Sequence, residues 1–349
     1  MSGPIGQSGA GASIIVVAFN SRDHFPQLKA ALQAQTAQGF ELIVFDNASH
    51  ADQRPKADDF PNGAILLQSE QNLGFAGANN LAAMQATRPN LVLLNPDAFP
   101  ESDWLAALLA ARRRWPHSGA IGSTQISVRN PSVYDGLGDA YHILGAAWRG
   151  GYGRPRTSIA PADAETFSVC AAAALYPRAV WDAVGGFEER YFCFHEDVDL
   201  GFRMRLLGWP SYQAKDAVVR HQGGGSTGLR SDFANFHGLR NTTWTFVRNM
   251  PMPLFWPLLP LHLGLMLVLA TVHLATGRGF AGFRGVGAAL VGLPWALAQR
   301  SAIQKRRRAG TAELVRVMAL SPLPLIDRRP VLRPFDDRAH FGSLPGAKP

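Results

Sequence analysis

The stretch "LVLLNPDA", residues 91–98, sets four apolar residues with no polar alternation directly before a polar corner that ends in an acid. A short run of that kind reads as a strand buried on both faces, as in a parallel sheet. The texture recurs upstream in "SIIVVAF" (13–19), "ELIVF" (41–45) and "AILL" (64–67). Helix-compatible stretches at roughly 23–35, 76–87 and 101–114 separate these runs. Strand and helix alternating at this spacing predict an α/β fold with a doubly wound sheet.

Ligands of such sheets bind beyond the carboxyl ends of the strands. Polar residues gather at those ends here: "AFN" (18–20), "DNAS" (46–49) and "NPDA" (95–98), with the small-residue loop "NLGFAGANN" (72–80) after the third strand. Asp46 and Asp97 are the acids of that set. A single Asp after a strand serves most often as a turn or helix cap. Two acids and several Asn at successive strand ends instead predict a shared ligand. No GxGxxG follows the first strand and no GxxxxGK[ST] occurs, which excludes a dinucleotide site and P-loop hydrolysis of the usual kind.

The 349 residues allow one large domain or two ordinary ones, and 47% hydrophobic content supplies a sizeable core. A net charge of +8 implies an anionic partner. Cys170 and Cys193 make neither a disulfide framework nor a metal knuckle, which fits a reducing cytoplasm. The opening "MSGPIGQSGAGAS" lacks a basic segment followed by an apolar core, so residues 1–12 are expected to be a flexible arm rather than a signal peptide. Residues 126–165 read as a polar, Gly/Arg-rich loop. Pattern resumes at 166–187 with a small-residue strand and a Pro-initiated helix stopped by Gly-Gly, and "GWPSYQAKDAVVRHQGGGST" (208–227) reads as strands ending at His221 before a glycine loop.

Between them, "FHEDVDLGFR" (194–203) places three carboxylates within four positions. Acids in a first helical turn suit the helix dipole, and Asp199 with Arg203 has the i,i+4 spacing of a helix pair. The alternative is an acid that does chemistry.

In their order, "SIIVVAFN", "IVFDNAS", "NLGFAGANN", "LLNPDA", "VGGFEERYFCFHEDVDLGFR" and "HQGGGST" resemble family 2 glycosyltransferases of the GT-A fold, and in particular their rhamnosyltransferase-like branch. The resemblance covers about residues 12–250. It implies an inverting enzyme that uses a nucleotide-diphospho-sugar and a divalent metal, Mg²⁺ or Mn²⁺. Carried over by motif, Ala18, Asn20 and Asp46 line the nucleobase and ribose pocket, and Asn72, Gly77 and Asn79 lie along the nucleotide and donor sugar. Asp97 is the metal ligand that ends the DXD-type motif, here Asn95-Pro96-Asp97 with its first acid missing. His221 closes on the metal and diphosphate, Asp197 is the catalytic base, and Glu196 is the neighbouring acid. The chemistry asks for the same groups: a base on the acceptor hydroxyl, and a hard cation at the departing diphosphate.

No acid occurs from Phe233 to Ala312, while nine Lys/Arg do. Pro251–Thr276 carries no charged residue. Apolar helices with basic flanks predict an interfacial hairpin over 251–310 on an anionic membrane surface, with 13–250 a separable glycosyltransferase domain and 311–349 an extended tail. That places the enzyme at the cytoplasmic face of the inner membrane, extending a cell-envelope glycan or glycolipid, with nucleic acid not among its partners. Two competing functions were weighed: a sugar nucleotidyltransferase, and a catalytically inactive glycan-binding or scaffold protein that keeps the fold.

Overall fold

The computed structural model describes residues 11–223 and 231–334. The glycine loop expected beyond Gly223 and all but the end of the N-terminal arm lie outside the described residues. Chain order is β1 (Ala12–Ala18), α1 (Phe25–Gln33), β2 (Glu41–Asn47), β3 (Ile65–Ser69), α2 (Gly74–Gln85), β4 (Asn90–Leu94), β5 (Ala98–Pro100), α3 (Trp104–Arg114) and β6 (Ala120–Ser127). Then come β7 (Tyr134–Gly136), β8 (Asp139–Tyr141), β9 (Ala147–Arg149), β10 (Ala164–Thr166), β11 (Ala173–Pro177), α4 (Arg178–Val184), α5 (Glu196–Leu206) and β12 (Ser211–His221). The remainder is helical: α6 (Asp232–Asn249), α7 (Met252–Ala275), α8 (Ala281–Val291), α9 (Leu293–Arg306), α10 (Thr311–Arg316) and α11 (Leu323–Asp327).

The main sheet runs β10-β12-β6-β11-β4-β1-β2-β3. The four opening strands pair in parallel, with Ile15 beside Ile43 and Leu93. The sheet as a whole is mixed, because β11 inserts antiparallel between β4 and β6. Helices α1 and α3 cover one face around Phe25, Leu28, Trp104 and Leu108, and α2 and α4 cover the other around Ala78, Ala82 and Trp181. Burying each large apolar side chain contributes about 1.5–3 kcal/mol, so two filled faces hold the sheet and fix where its strands end. The expectation that "AILL" is buried on both faces fails. Strand β3 is the sheet edge, with Ile65 39% and Leu66 38% exposed.

The stretch expected to be a loop is largely built. Strands β8 and β9 form a hairpin, with Asp139 opposite Arg149, and β7 pairs with β6. Its short strands are held by neighbours rather than by their own pattern: Trp148 Nε1 donates to the Arg329 carbonyl at 2.9 Å. The expected helix stop is found at Gly185, whose φ of +90° lets its N–H reach the Trp181 carbonyl.

Helices α6, α8 and α9 pack as a layer beside α5. Trp244 donates to the Ala289 carbonyl, and Arg300 and Gln304 donate to the carbonyls of Val247 and Asn249. Residues expected in an extended tail also join this layer. Leu314, Val317 and Met318 are buried with Phe202 and Tyr141, and the Ala319 N–H bonds the Tyr141 carbonyl at 2.8 Å.

Candidate active site

A cavity of about 690 Å³ opens at the carboxyl ends of β1, β2 and β4, lined by Asn47, Asn72, Gly74, Phe75, Asp97, Asp139, Trp148, Arg149, Glu196, Asp197 and His221 among others. Its lining holds two sets of titratable groups, the Asp97–His221 pair and the acids at the start of α5.

At Asp97, β5 lies antiparallel to the end of β12, with His221 opposite Ala98. His221 Nε2 stands 3.3 Å from Asp97 Oδ1, and Nδ1 stands 2.7 Å from Asp135 Oδ2. Asp135 in turn pairs with Arg149. Burial alone pushes the His221 pKa down, but hydrogen bonds to Asp135 and Asp97 outweigh it and carry it up to about 9. Burial likewise raises Asp135, and the adjacent Arg149 charge overcomes it, bringing the carboxyl down to about 2. Among the described residues no group of three or more His, Cys, Asp or Glu gathers at metal-holding distance. The pair still suits a hard cation shared with an oxygen-rich ligand. Nε2 is buried without a well-aligned hydrogen bond, and a carboxylate holds the opposite ring nitrogen, the usual second support of a metal-bound imidazole.

Also in the lining, α5 begins with Glu196 and Asp197 after a strained loop. Phe192, Phe194 and His195 all have φ between 65° and 68°, a region that L side chains rarely occupy. Neighbours hold them there. Asn241 Nδ2 donates to the carbonyls of Tyr191, Cys193 and Phe194 at 3.0, 2.9 and 2.7 Å. His195 Nε2 meets Thr242 Oγ1 at 2.9 Å. The N–H of Ala76 bonds the Phe192 carbonyl, and Gly74 is confined to glycine because a Cβ there would lie 2.4 Å from that oxygen. Strain held by so many partners is typical of functional loops.

The loop presents two carboxyls in different states. Asp197 accepts the N–H of Val198 at 2.8 Å and of Ala171 at 3.2 Å, and both bonds favour the carboxylate. Burial raises its pKa and those donors oppose the rise without cancelling it. Glu196 is buried with Oε2 unpartnered, so burial and then the Asp197 charge push it far up and keep it protonated. Asp139, on β8, is pushed up to about 8 by burial and then by Asp197. Asp139 and Asp197 share the field of Arg149.

Asp199 is not the ordinary helix pair expected. It is fully buried, accepting from Arg203 Nε at 2.7 Å, Asn249 Nδ2 at 2.8 Å, Arg248 Nη1 at 3.0 Å and Tyr191 Oη at 3.1 Å. It ties α5 to α6 directly behind the strained loop.

The family model for glycosyl transferase family 2 matches residues 13–180. The chain is 29% identical over 262 residues to the N-acetylglucosaminyl-diphospho-decaprenol L-rhamnosyltransferase of Mycobacterium tuberculosis, covering 67% of this chain and 83% of that one. Residues 13–180 carry the glycosyltransferase family 2 match, and the chain is a glycosyltransferase. The transferase is also 23% identical over 221 residues to the O-antigen chain rhamnosyltransferase RfbN of Salmonella typhimurium, covering 60% of this chain and 65% of the relative. Its fold is GT-A, similar to the crystal structure of GalNAc-T7 with UDP, GalNAc and Mn²⁺, at a TM-score of 0.55 and 14% identity over 70% of this chain and 48% of that chain. The family match sets the sugar-nucleotidyltransferase alternative aside.

Of the residues singled out in the transferase sequence, Asn72, Asp97, Glu196, Asp197 and His221 line the cavity. Ala18, Asn20, Asp46, Gly77 and Asn79 do not. Ala18 is core, Gly77 packs on Leu73 inside α2, and Asn79 is buried with its amide on the Phe75 carbonyl. Asn20 and Asp46 meet through Ser49, whose Oγ accepts the Asn20 N–H and whose N–H donates to Asp46 Oδ1. Missed were Asn47, which braces Asn72, and Asp135, Asp139 and Arg149. "DNAS" contains Asn47 and could have flagged it; the other three carry no motif.

Proposed function

We propose that this transferase moves a deoxyhexose such as rhamnose from a nucleotide-diphospho-sugar to a lipid-linked or polysaccharide acceptor, inverting the anomeric centre. The observation that carries the assignment is one cavity whose lining holds both the Asp97–His221 pair and Asp197. Asp197, held toward its charged form by two backbone N–H groups, takes the proton of the acceptor hydroxyl. The freed oxygen attacks the anomeric carbon from the face opposite the diphosphate, so the new glycosidic bond forms as the carbon–oxygen bond to phosphate breaks. Glu196, kept protonated beside it, does not compete for that proton.

Asp97 and His221 would hold a divalent cation, Mg²⁺ or Mn²⁺, which when bound neutralises charge growing on the departing diphosphate. Asp135 holds Nδ1 and so directs Nε2 toward Asp97, where a neutral Nε2 would serve as the ligand to that cation. Asn20 and Asp46, joined at Ser49, are the proposed nucleobase and ribose contacts, with Asp46 Oδ2 buried and free of a hydrogen bond.

The acceptor side points to a membrane. By length and composition α7 is apolar enough to cross one, yet Pro257 and Pro260 interrupt it and most of its surface is exposed. We place α7 and α8 on the anionic surface at the cytoplasmic face of the inner membrane, where a lipid-linked acceptor is presented. The direct test incubates the full chain with a panel of nucleotide-sugars, with Mg²⁺ or Mn²⁺, and measures nucleoside diphosphate release with and without a polyprenyl-diphosphate-linked acceptor. Release that needs the acceptor supports the assignment; a chain that binds glycans and releases none would make it the inactive scaffold instead.

A further inference from the structure

The cavity has an aromatic lip. Phe192, Phe194 and Phe233 line it, with the Phe233 ring 6.0 Å from Phe192 and 6.1 Å from Phe194. Phe233 is the second residue of α6. One turn further on, about 5 Å along the axis, Phe236 lies against α8. Its carbonyl is so close to Gly285 that a Cβ there would stand 2.4 Å from the oxygen, and the Arg284 guanidinium lies over its ring at 6.0 Å. At the start of α6, Asp232 faces the α7–α8 connection, 3.6 Å from the Cβ position of Gly279. The beginnings of α6 and α8 therefore sit side by side, and the α7–α8 corner borders the lip.

That corner joins two chemistries. Phe280 is 66% exposed, and Val272, Leu274, Leu290 and Val291 continue an uncovered apolar surface along α7 and α8. Neither Arg278 nor Arg284 has an ion-pair partner among the described residues. Asp232 is the nearby carboxylate, and no acid follows it until Glu313. The exposed apolar track and the two guanidinium groups lie beside the first turns of α6, the helix that brings Phe233 to the cavity.

We propose that Arg278 and Arg284 bind the diphosphate of a polyprenyl-diphosphate-linked acceptor whose chain lies along the exposed faces of α7 and α8 and whose sugar enters past Phe233 toward Asp197. The proposal rests on the assignment of this chain as a transferase to a lipid-linked acceptor. A general anionic membrane patch would need the same charges but gives no reason for them to flank the helix that brings Phe233 to the cavity. Arginine is suited to phosphate because its planar fork donates two hydrogen bonds at once.

The test measures sedimentation of the full chain with three vesicles: phosphatidylcholine alone, phosphatidylcholine with undecaprenyl diphosphate, and phosphatidylcholine with phosphatidylglycerol at equal surface charge. Wild type is expected to bind the undecaprenyl diphosphate vesicles more tightly than the phosphatidylglycerol vesicles. Arg278→Gln/Arg284→Gln is expected to lose roughly 30-fold on the former, from two contacts of about 1 kcal/mol each, and to keep wild-type affinity for the nucleoside diphosphate released in the donor panel. Equal loss on both anionic vesicles, or no loss, would overturn the site. If wild type neither binds a nucleotide-sugar nor releases its diphosphate, the transferase assignment fails instead, whatever the vesicles show.

Discussion

Asp199→Asn should destabilise the protein far more than the spacing of Asp199 and Arg203 suggests. An exposed i,i+4 ion pair contributes about 0.3–0.5 kcal/mol. Asp199 is instead fully buried, and so are the Arg203 and Arg248 side chains it neutralises. The amide cannot carry their compensating charge, and its NH₂ group would face donors. Arg248 would keep Glu188 at 3.0 Å, and Arg203 would keep only the carbonyls of Val184 and Gly186. Removing one partner of a buried pair costs about 3–5 kcal/mol, and that is the loss expected from urea unfolding followed by circular dichroism. The pH dependence carries the same signature. Burial raises the Asp199 pKa, but Arg248 and Arg203 outweigh it and hold the carboxyl below its usual range. Its stabilisation is therefore present above the ordinary Asp pKa and lost as pH falls through the depressed value. Wild type should show that acid limb and the variant should lack it. A loss below about 1 kcal/mol, the size of a surface pair, would refute the hub.

Transfer should vanish with excess EDTA and return with Mg²⁺ or Mn²⁺; full activity in chelator would leave Asp97 and His221 without a cation to hold. Asp139 has a folded pKa raised to about 8, so the native state keeps a proton that the unfolded chain releases, and stability falls as pH rises from about 4 toward 8. Asp139→Asn should remove that fall, so its melting temperature should gain on wild type more at pH 8 than at pH 4; an equal difference at both would show Asp139 ionised in the fold. Ending the chain after Met250 should give an aggregating protein rather than a separable domain, because α8 and α9 cover Trp244 and donate to the carbonyls of Val247 and Asn249. A monodisperse, nucleotide-binding fragment would show that layer to be dispensable.

The central sheet was legible because its strands are continuous apolar runs, and the rule that ligands bind beyond parallel strand ends led to Asp97. The same texture misled at Ile65 and Leu66, since a run of that kind cannot say whether a neighbour covers it. The α5 acids were legible as a cluster, but their roles were not. Helix spacing links Asp199 to Arg203 and is blind to Arg248 and Asn249, which arrive from 49 and 50 residues away. Asp135, Asp139 and Arg149 sit on three-residue strands too short to show a period, and only the pairing of β7 with β6 and of β8 with β9 brings them to the cavity. Gly77 and Asn79 lie further along α2 than the cavity lining reaches. They share α2 with Gly74, where Asn79 is buried with its amide on the Phe75 carbonyl.

The most direct test of the account compares Asp197→Asn with Glu196→Gln. Both substitutions keep shape and both positions line the cavity; the proposed base is Asp197, because two backbone N–H groups hold it toward the charged form while burial and the Asp197 charge push the Glu196 pKa far up. Once the nucleotide-sugar panel has named the donor, transfer by Asp197→Asn should fall by about 10²-fold or more at near-normal donor affinity. Glu196→Gln should retain most of the wild-type rate. The opposite pattern, transfer abolished by Glu196→Gln and kept by Asp197→Asn, would contradict the assignment of the base.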